Sequence, residues 1–162
     1  MKASIHKASG TPEDVEAITQ IGRLAYEDSR YAGHVFAEQR VRDILLRQFR
    51  ERPNTFGAWL VLRSGTASAC TDICGCMLAM ANDQIAVRGI SCNTPLFYVH
   101  PDARTPDLAR ELIVTFRSWA QQQGAVDAMI HVTSGHRDAA RIGQWLSRSG
   151  FDYIGDNFSK LI

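Results

Sequence analysis

The sequence comprises 162 residues, of which 45% are hydrophobic and 22% charged, as is ordinary for a soluble globular protein. This length suffices to bury one hydrophobic core but not two, so we expect a single domain over residues 1–162. The formal net charge of +1 excludes a strong overall field, and with it nucleic acid or a membrane surface as an electrostatic partner.

The first third of the chain predicts an edge strand followed by two helices. Lys2 to Ala8 alternates weakly between polar and apolar residues. Thr11-Pro12-Glu13-Asp14 is typical of a helix start, with an N-cap, a first-turn proline and acidic residues. A second amphipathic helix is expected from Ala37 to Arg50. Basic and acidic residues are interleaved in Arg40–Arg52, which favours an exposed helix face over a nucleic-acid site.

The rest of the chain predicts strands interrupted by two helices. Short apolar runs between turn residues favour buried strands, and helical periodicity that stops at a glycine favours a helix. The predicted order is strands Ala58–Leu62, Ile73–Ala81 and Thr94–Val99, helix Pro106–Gln123, strand Ala128–Val132, helix His136–Ser149, and one or two last strands in Phe151–Ile162. This order implies an α/β (α+β) fold with a mixed, mostly antiparallel central sheet flanked by helices.

The four cysteines are Cys70, Cys74, Cys76 and Cys92. The spacing of the first three leaves a metal or disulfide cluster open. In a strand, however, Cys74 and Cys76 would point to one face together with Leu78 and Met80. This pattern favours buried, reduced thiols that pack as small hydrophobic side chains, and we expect no metal site.

The segment Leu96 to Arg104 carries a resemblance to a known family. It forms an apolar strand that ends in Val-x-Pro-x-x-Arg, directly before the helix starting at Pro106. In this motif and in the order of its elements the chain resembles the GNAT N-acetyltransferases. Gly150-Phe151 is similar to the late Gly-Phe of that family. The run Gly155 to Lys160 resembles the tails of bacteriophage-encoded members.

The resemblance implies a transfer of an acetyl group from acetyl-coenzyme A to an amine by direct attack. The acceptor would be a small amine or a protein amino group. In the family, a backbone N–H near the position of Val99 stabilises the thioester oxyanion, and a loop at a helix N-terminus holds the pyrophosphate. The corresponding loop residues here are Arg104, Thr105, Asp107, Leu108, Ala109 and Arg110.

The loop departs from the glycine-rich pattern of the family. Its three Gly/Ala positions hold Thr105, Asp107 and Ala109, and Pro106 has no N–H to donate. The Asp107 carboxylate predicts a repulsion of a bound phosphate of up to about 3 kcal/mol. Arg104 and Arg110 would offset part of it. An alternative is therefore a catalytically inactive GNAT-like binding or structural module, such as a phage particle component or an effector that binds a host protein.

No residue matches the tyrosine that often acts as the acid in the family. The corresponding stretch, Gln144-Trp145-Leu146, has no hydroxyl group. Histidines, tyrosines and a serine near the ends of the central strands are the substitutes that the sequence offers. The candidate acids and bases are Tyr98, His131, Ser134 and His136, with His100 and Tyr153 as weaker choices.

The sequence also predicts the location of the protein, but it does not determine its assembly. Met1 to Lys7 lacks the apolar stretch of a signal peptide, and no apolar run approaches the ~20 residues needed to cross a bilayer. We expect a cytoplasmic protein, or a virion-associated one if a phage encodes it. A homodimer or a protein partner is left open.

Overall fold

The order of helices and strands follows the sequence prediction closely. A computed structural model describes residues 3–63, 73–84, 88–132 and 139–155. Its strands are β1 (Ala3–Lys7), β2 (Phe56–Arg63), β3 (Ile73–Asp83), β4 (Ile90–Val99) and β5 (Ala125–Ile130). Its helices are α1 (Pro12–Glu27), α2 (Glu38–Glu51), α3 (Pro106–Gln122) and α4 (Ala139–Arg148), with a 3-10 turn at Pro101–Ala103. None of these helices is long and apolar enough to cross a membrane.

The described strands form one sheet in the order β1-β2-β3-β4-β5. Strands β1 to β4 are antiparallel neighbours, whereas β5 pairs with β4 in parallel. A parallel pair needs a crossover connection, and α3 supplies it. The predicted mixed, mostly antiparallel sheet flanked by helices is confirmed.

The sheet buries a separate cluster of side chains on each face. One face is covered by α1 and α2, and its cluster includes Ile18, Ile21, Leu45, Ala58, Leu60, Cys76 and Tyr98. The other face is covered by α3, and its cluster includes Trp59, Met77, Ala79, Cys92, Leu112, Phe116 and Trp119. We call these the α1 side and the α3 side of the sheet. The predicted apolar stripe of α3, from Leu108 to Ala120, is buried.

Helix α1 begins with a closed capping box. The Thr11 hydroxyl accepts a hydrogen bond from the Asp14 N–H at 3.2 Å. The Asp14 carboxylate in turn accepts from the backbone N–H groups of Ser9 at 2.7 Å, Gly10 at 3.1 Å and Thr11 at 3.4 Å. With Pro12 at the first helical position, the predicted helix start is confirmed.

An inserted residue in β3 separates two cysteines that the sequence places on one face. Val61 pairs with Gly75 but Leu62 pairs with Ile73, so Cys74 forms a β-bulge. Cys74 consequently lies on the α3 side and Cys76 on the α1 side. The prediction of a shared face is wrong, because the two-residue period of a strand fails across an insertion.

The described cysteines are buried, as predicted. Cys74 donates a hydrogen bond from its thiol to the Val61 carbonyl at 3.6 Å, and Cys76 and Cys92 are free thiols. Burial raises the pKa of Cys76 and of Cys92, so both thiols stay protonated at neutral pH. Cys70 lies outside the described residues.

The carboxyl-terminal predictions are confirmed in part. Gly124 closes α3 with a positive φ of 70°, and β5 begins at Ala125 rather than at the predicted Ala128. Helix α4 lies inside its predicted range of 136–149, of which residues 136–138 are outside the described part of the chain. Residues 151–155 form no strand, and the exposed Ile154 offers no buried face to order one. Residues 156–162 are not among those described.

Candidate functional site

Strand β4 continues beyond its pairing with β5. The last paired residues are Thr94 of β4 and Ile130 of β5, whereas β4 runs on to Val99. Helix α3 follows only after the 3-10 turn. The carboxyl-terminal half of β4 therefore has β3 on one side and no described strand on the other.

A β-bulge marks the point where β4 and β5 separate. Thr94 and Pro95 stand together opposite the single residue Ala79 of β3, because the register shifts there. A bulge bends the strand that carries it, and Pro95 suits the position because it has no N–H to contribute to a ladder. We call the resulting gap the fork: residues 95–99 of β4 on one side and the end of β5 at Ile130 on the other.

The backbone of β4 presents polar groups to the fork. The N–H of His100 donates to the Cys74 carbonyl of β3 at 2.7 Å. Because successive residues of a strand direct their N–H and C=O groups to alternate sides, Tyr98 also bonds toward β3. The N–H groups of Phe97 and Val99 and the Phe97 carbonyl consequently face the fork, whereas the Val99 carbonyl accepts a hydrogen bond from Arg104 Nε at 2.8 Å. These groups are suited to pair with a ligand that carries amides of its own.

The start of α3 leaves two backbone donors open. The Thr105 hydroxyl caps the N–H of Leu108 at 3.2 Å, and its carbonyl accepts from the Ala109 N–H at 3.1 Å. Pro106 has no N–H. The N–H groups of Thr105 and Asp107 have no acceptor among the described residues. The predicted N-cap is confirmed, and the helix dipole adds about half a positive charge at this end.

The carboxylate of Asp107 points into solvent. Its side chain is 87% exposed and pairs with that of Arg110, itself 73% exposed, at 2.7 Å. An exposed pair of this kind contributes at most about 1 kcal/mol and is screened by salt. The repulsion of a phosphate at the α3 start is accordingly smaller than the sequence predicts, because the charge is hydrated and partly neutralised.

Arg104 lies against the end of β4. Its Nε donates to the Val99 carbonyl at 2.8 Å, and its Nη2 lies 3.9 Å from the Asp28 carboxylate. The guanidinium also stands over the Tyr98 ring, 5.7 Å from the ring centre. Arg104 thus joins the tip of β4 to the end of α1, while its expected contact with a phosphate stays a prediction.

Tyr98 lies on the α1 side of the sheet with its ring buried. Its hydroxyl donates to the Asp28 carboxylate at 2.9 Å. Burial, together with this hydrogen bond to an anion, raises the pKa of Tyr98 to about 12. The phenol therefore holds its proton tightly at neutral pH, which suits a structural donor better than a catalytic acid.

The remaining candidate acids and bases lie at different places in the chain, and two of them are outside the described residues. His131 is exposed and directly follows β5, one residue beyond the last pair between β4 and β5. His100 is the N-cap of the 3-10 turn, where its Nδ1 accepts from the Asp102 N–H at 3.4 Å. Tyr153 is 71% exposed beyond α4. His136 and Ser134 lie outside the described residues, so their predicted roles are untested.

Sequence reasoning missed three residues at the site. Phe97 was overlooked because its role comes from the direction of its backbone, which a strand prediction alone does not give. Asp28 ends α1 and meets Tyr98 only in the folded chain. Thr94 is an ordinary strand residue in sequence. A Thr-Pro pair inside a predicted strand is the one signal of a bulge that was available.

The fold is similar to the folds of several solved acetyltransferase structures. A glucosamine-6-phosphate N-acetyltransferase from Arabidopsis thaliana matches with a TM-score of 0.71 and 10% identity, over 99% of each chain. A Trypanosoma brucei acetyltransferase matches with a TM-score of 0.68 and 12% identity, over 99% of this chain and 100% of that one.

An aminoglycoside acetyltransferase from an uncultured soil metagenomic sample, solved with sisomicin, matches with a TM-score of 0.67 and 9% identity. That match spans 99% of this chain and 97% of the other. The chain has the GNAT fold. No protein-family model matches the sequence, and no curated protein matches it. The likeness to GNAT proteins is therefore one of fold, carried by chains with few identical residues.

Proposed function

We propose that this protein is an acyl-coenzyme A-dependent N-acyltransferase that transfers an acetyl group to an amine. The observation that supports the proposal is the fork, where the N–H groups of Phe97 and Val99 and the Phe97 carbonyl face a gap beside β5. The amine belongs to a small molecule or to a protein. Several acetyltransferases of the same fold, including one that acts on aminoglycosides, are consistent with this class of reaction.

The pantetheine arm and the pyrophosphate of acetyl-coenzyme A fit this chain unequally. The pantetheine arm carries amides, which match the amide groups that β4 presents to the fork. The pyrophosphate has fewer donors at the α3 start, because Pro106 supplies none and Thr105 caps Leu108 with its own hydroxyl. The N–H groups of Thr105 and Asp107, the helix dipole and Arg110 would hold it. Strand β4 therefore contributes the larger share of binding.

Bound acetyl-coenzyme A supplies a thioester carbonyl as the site of attack. The chain's own contribution is an N–H donor, from Phe97 or Val99, for the oxygen that becomes negative. We assign His131, exposed at the end of β5, the role of a base that takes a proton from the acceptor's ammonium group, directly or through water, before the neutral amine attacks. The coenzyme A thiolate then leaves and takes a proton from solvent. Tyr98 stays protonated and holds Asp28 in place, and we assign it a positioning role.

The first experiment measures the melting temperature with and without acetyl-coenzyme A. A ligand at a hundred times its Kd adds about 2.7 kcal/mol to the free energy of unfolding. Two fragments serve as controls: acetyl-pantetheine, which contacts the fork, and adenosine 3′,5′-bisphosphate, which does not reach it. We expect the pantetheine fragment to stabilise the protein more. No shift with millimolar acetyl-coenzyme A would remove the proposal.

A second candidate function is a binding or structural module of the same fold without catalysis. It is favoured by the start of α3, where Thr105 and Pro106 satisfy or remove donors that a phosphate would use. An acetyl-transfer assay with small amines and lysine peptides separates the two. Binding of acetyl-coenzyme A with no transfer to any acceptor, and none to water, would favour the module.

A further inference from the structure

Thr94 carries a buried hydroxyl group without a hydrogen-bond partner. The residue is 2% exposed, and its Oγ1 has no hydrogen-bond partner among the described residues. Burying a hydroxyl group without a partner is unfavourable, and such groups are uncommon in folded proteins. Thr94 also forms the last pair between β4 and β5, with Ile130, so it stands at the closed end of the fork.

The register of the sheet fixes the side to which Thr94 points. Ala79, which faces it across the bulge, and Cys92, two residues earlier in β4, both belong to the cluster on the α3 side. Phe97, whose N–H faces the fork, follows about 10 Å further along the strand. Thr94 is the last residue of β4 that pairs with β5, so its side chain stands on the α3 side at the closed end of the fork.

The direction of the proposed donor determines which of its atoms reach Thr94. The α3 start follows the open end of β4, so the phosphates lie there and the thioester lies inside the fork, beside Phe97 or Val99. The acyl group then extends toward the closed end. We propose that Thr94 is a specificity-determining residue whose hydroxyl donates a hydrogen bond to an oxygen atom at the acyl end of the donor.

This inference rests on the proposed acyl-coenzyme A-dependent function. Two oxygen atoms present the same chemistry to a hydroxyl donor: the thioester carbonyl, and an oxygen substituent further along the acyl chain. Free coenzyme A has neither. The affinity for free coenzyme A is therefore an internal reference against which the contribution of the acyl end is measured.

Ser91 provides a matched control on the same strand. Its hydroxyl is also buried, at 5% exposure, and also has no partner among the described residues. Ser91, however, pairs with Asp127 inside the closed part of the β4–β5 ladder, where no ligand enters. Removing either hydroxyl relieves a similar burial cost, so only a ligand contact distinguishes the two positions.

The experiment measures dissociation constants by calorimetry for the wild type, Thr94→Val, Thr94→Ser and Ser91→Ala. The ligands are coenzyme A, acetyl-coenzyme A, butyryl-coenzyme A and 3-hydroxybutyryl-coenzyme A. Thr94→Val keeps the shape of the side chain and loses the hydroxyl. We expect it to weaken at least one acyl ligand by about five- to tenfold while leaving free coenzyme A unchanged. Thr94→Ser and Ser91→Ala should match the wild type.

The pattern of losses identifies the oxygen atom. A loss for all three acyl ligands assigns the thioester carbonyl, and a loss for 3-hydroxybutyryl-coenzyme A alone assigns a chain oxygen. The inference is overturned if Thr94→Val binds every acyl ligand as the wild type does, or loses free coenzyme A to the same extent. If the wild type binds none of the four ligands, the proposed function fails as well.

Discussion

Two helices of this protein begin with the same Thr-Pro pair but leave different surfaces at their first turns. In α1 and in α3 the threonine hydroxyl accepts from the third helical N–H at 3.2 Å, and proline follows the cap. The third residue differs. In α1 it is Asp14, whose carboxylate turns back onto the preceding backbone, whereas in α3 it is the buried Leu108.

At the start of α1 the protein's own carboxylate accepts from the backbone N–H groups, whereas the start of α3 can still bind a ligand. The Asp14 carboxylate occupies the place where a bound anion would sit at α1. At α3 the acidic residue is one position earlier, and Asp107 points into solvent beside Arg110. The backbone N–H groups of Thr105 and Asp107 have no acceptor within the described part of the chain. The presence of an acid in the first turn therefore does not by itself exclude an anion site, because its position decides where the charge goes.

The largest expected effect tests whether the backbone of β4 acts on the bound acetyl-coenzyme A, given that the start of α3 offers few N–H donors to its phosphates. Phe97→Pro removes an N–H that faces the fork without removing a hydrogen bond to β3. We expect it to lower acetyl transfer by about a hundredfold, as loss of an oxyanion donor does. Val99→Pro tests the other candidate N–H in the same assay.

Alanine variants separate the N–H from the side chain in this comparison. Phe97→Ala and Val99→Ala lose packing on the α3 side but keep the backbone donor. The larger proline-minus-alanine difference identifies the oxyanion donor. Proline variants no slower than their alanine counterparts would show that the fork does not stabilise the reacting oxygen.

The next effect compares the two acids directly. Asp14→Ala leaves several backbone N–H groups without their acceptor, and we expect it to lower the free energy of unfolding by about 1–2 kcal/mol. Asp107→Ala removes only an exposed pair and a dipole contact, and we expect a loss below about 1 kcal/mol. Urea denaturation measures both. Equal losses would contradict the contrast between the two helix starts.

The contribution of Asp14 should also depend on pH. Burial opposes its ionisation, but the hydrogen bonds from Ser9, Thr11 and Gly10 outweigh burial and lower the pKa of the carboxyl group. A lowered pKa adds stability that is present above the unfolded value near ~4 and is lost as pH falls through the folded value. The stability difference between the wild type and Asp14→Ala should shrink over that window.

A smaller effect concerns the contact that joins α1 to the tip of β4. Tyr98→Phe removes the hydrogen bond to Asp28, and we expect a loss of about 1 kcal/mol in unfolding free energy. Turnover should stay within a few-fold of the wild type. The exposed Tyr31 supplies the control substitution, Tyr31→Phe. A loss of turnover near a hundredfold would instead make Tyr98 a catalytic acid.

The same tyrosine gives a signature at high pH. Burial and the neighbouring Asp28 raise the pKa of Tyr98 to about 12. A raised pKa contributes stability that is complete below the unfolded value near ~10 and is lost as pH rises through the folded value. The difference in unfolding free energy between the wild type and Tyr98→Phe should therefore shrink as pH rises between those two values. Denaturation curves recorded across that pH range measure it.

The smallest effect is the one that the sequence alone would overestimate. Asp107→Asn keeps the side-chain shape and removes the charge, and we expect it to tighten coenzyme A binding about three- to fivefold. Glu111→Gln removes an exposed charge further along the same helix and should change little. A hundredfold gain would mean that the Asp107 charge is not screened, and weaker binding would mean that its carboxylate does not oppose phosphate.

The fold was largely predictable because local signals agreed with one another. The Thr-Pro starts, the helical stripes and the glycine after α3 each act within a few residues of the chain. The bulge at Cys74 was not predictable, since an inserted residue leaves composition and hydrophobicity unchanged and shows only in the pairing with Val61 and Leu62. No strand forms over residues 151–155, the described part of the predicted segment Phe151–Ile162, because an apolar run forms a strand only where a partner edge accepts it.

The candidate site was predictable in its residue types and less so in their directions. Val99 and the loop from Arg104 to Arg110 follow from the motif. That Arg104 would lie against the Val99 carbonyl, and that Tyr98 would be bound by Asp28, depends on contacts between distant parts of the chain. Sequence gives the functional groups present, whereas the register of the sheet decides which of them face the fork.

The buried thiols give this protein a built-in chemical probe of its own sheet. Cys92 is inaccessible in β4, two residues before the closed end of the fork, and Cys76 is inaccessible in the neighbouring strand. An alkylating reagent reaches Cys92 only when α3 or the strands around it move, and Cys76 only when α1, α2 or its own neighbouring strands move. The ratio of their modification rates, followed by mass spectrometry, therefore compares how often the two sides of the sheet open. A molecule that fills the fork should slow Cys92 more than Cys76.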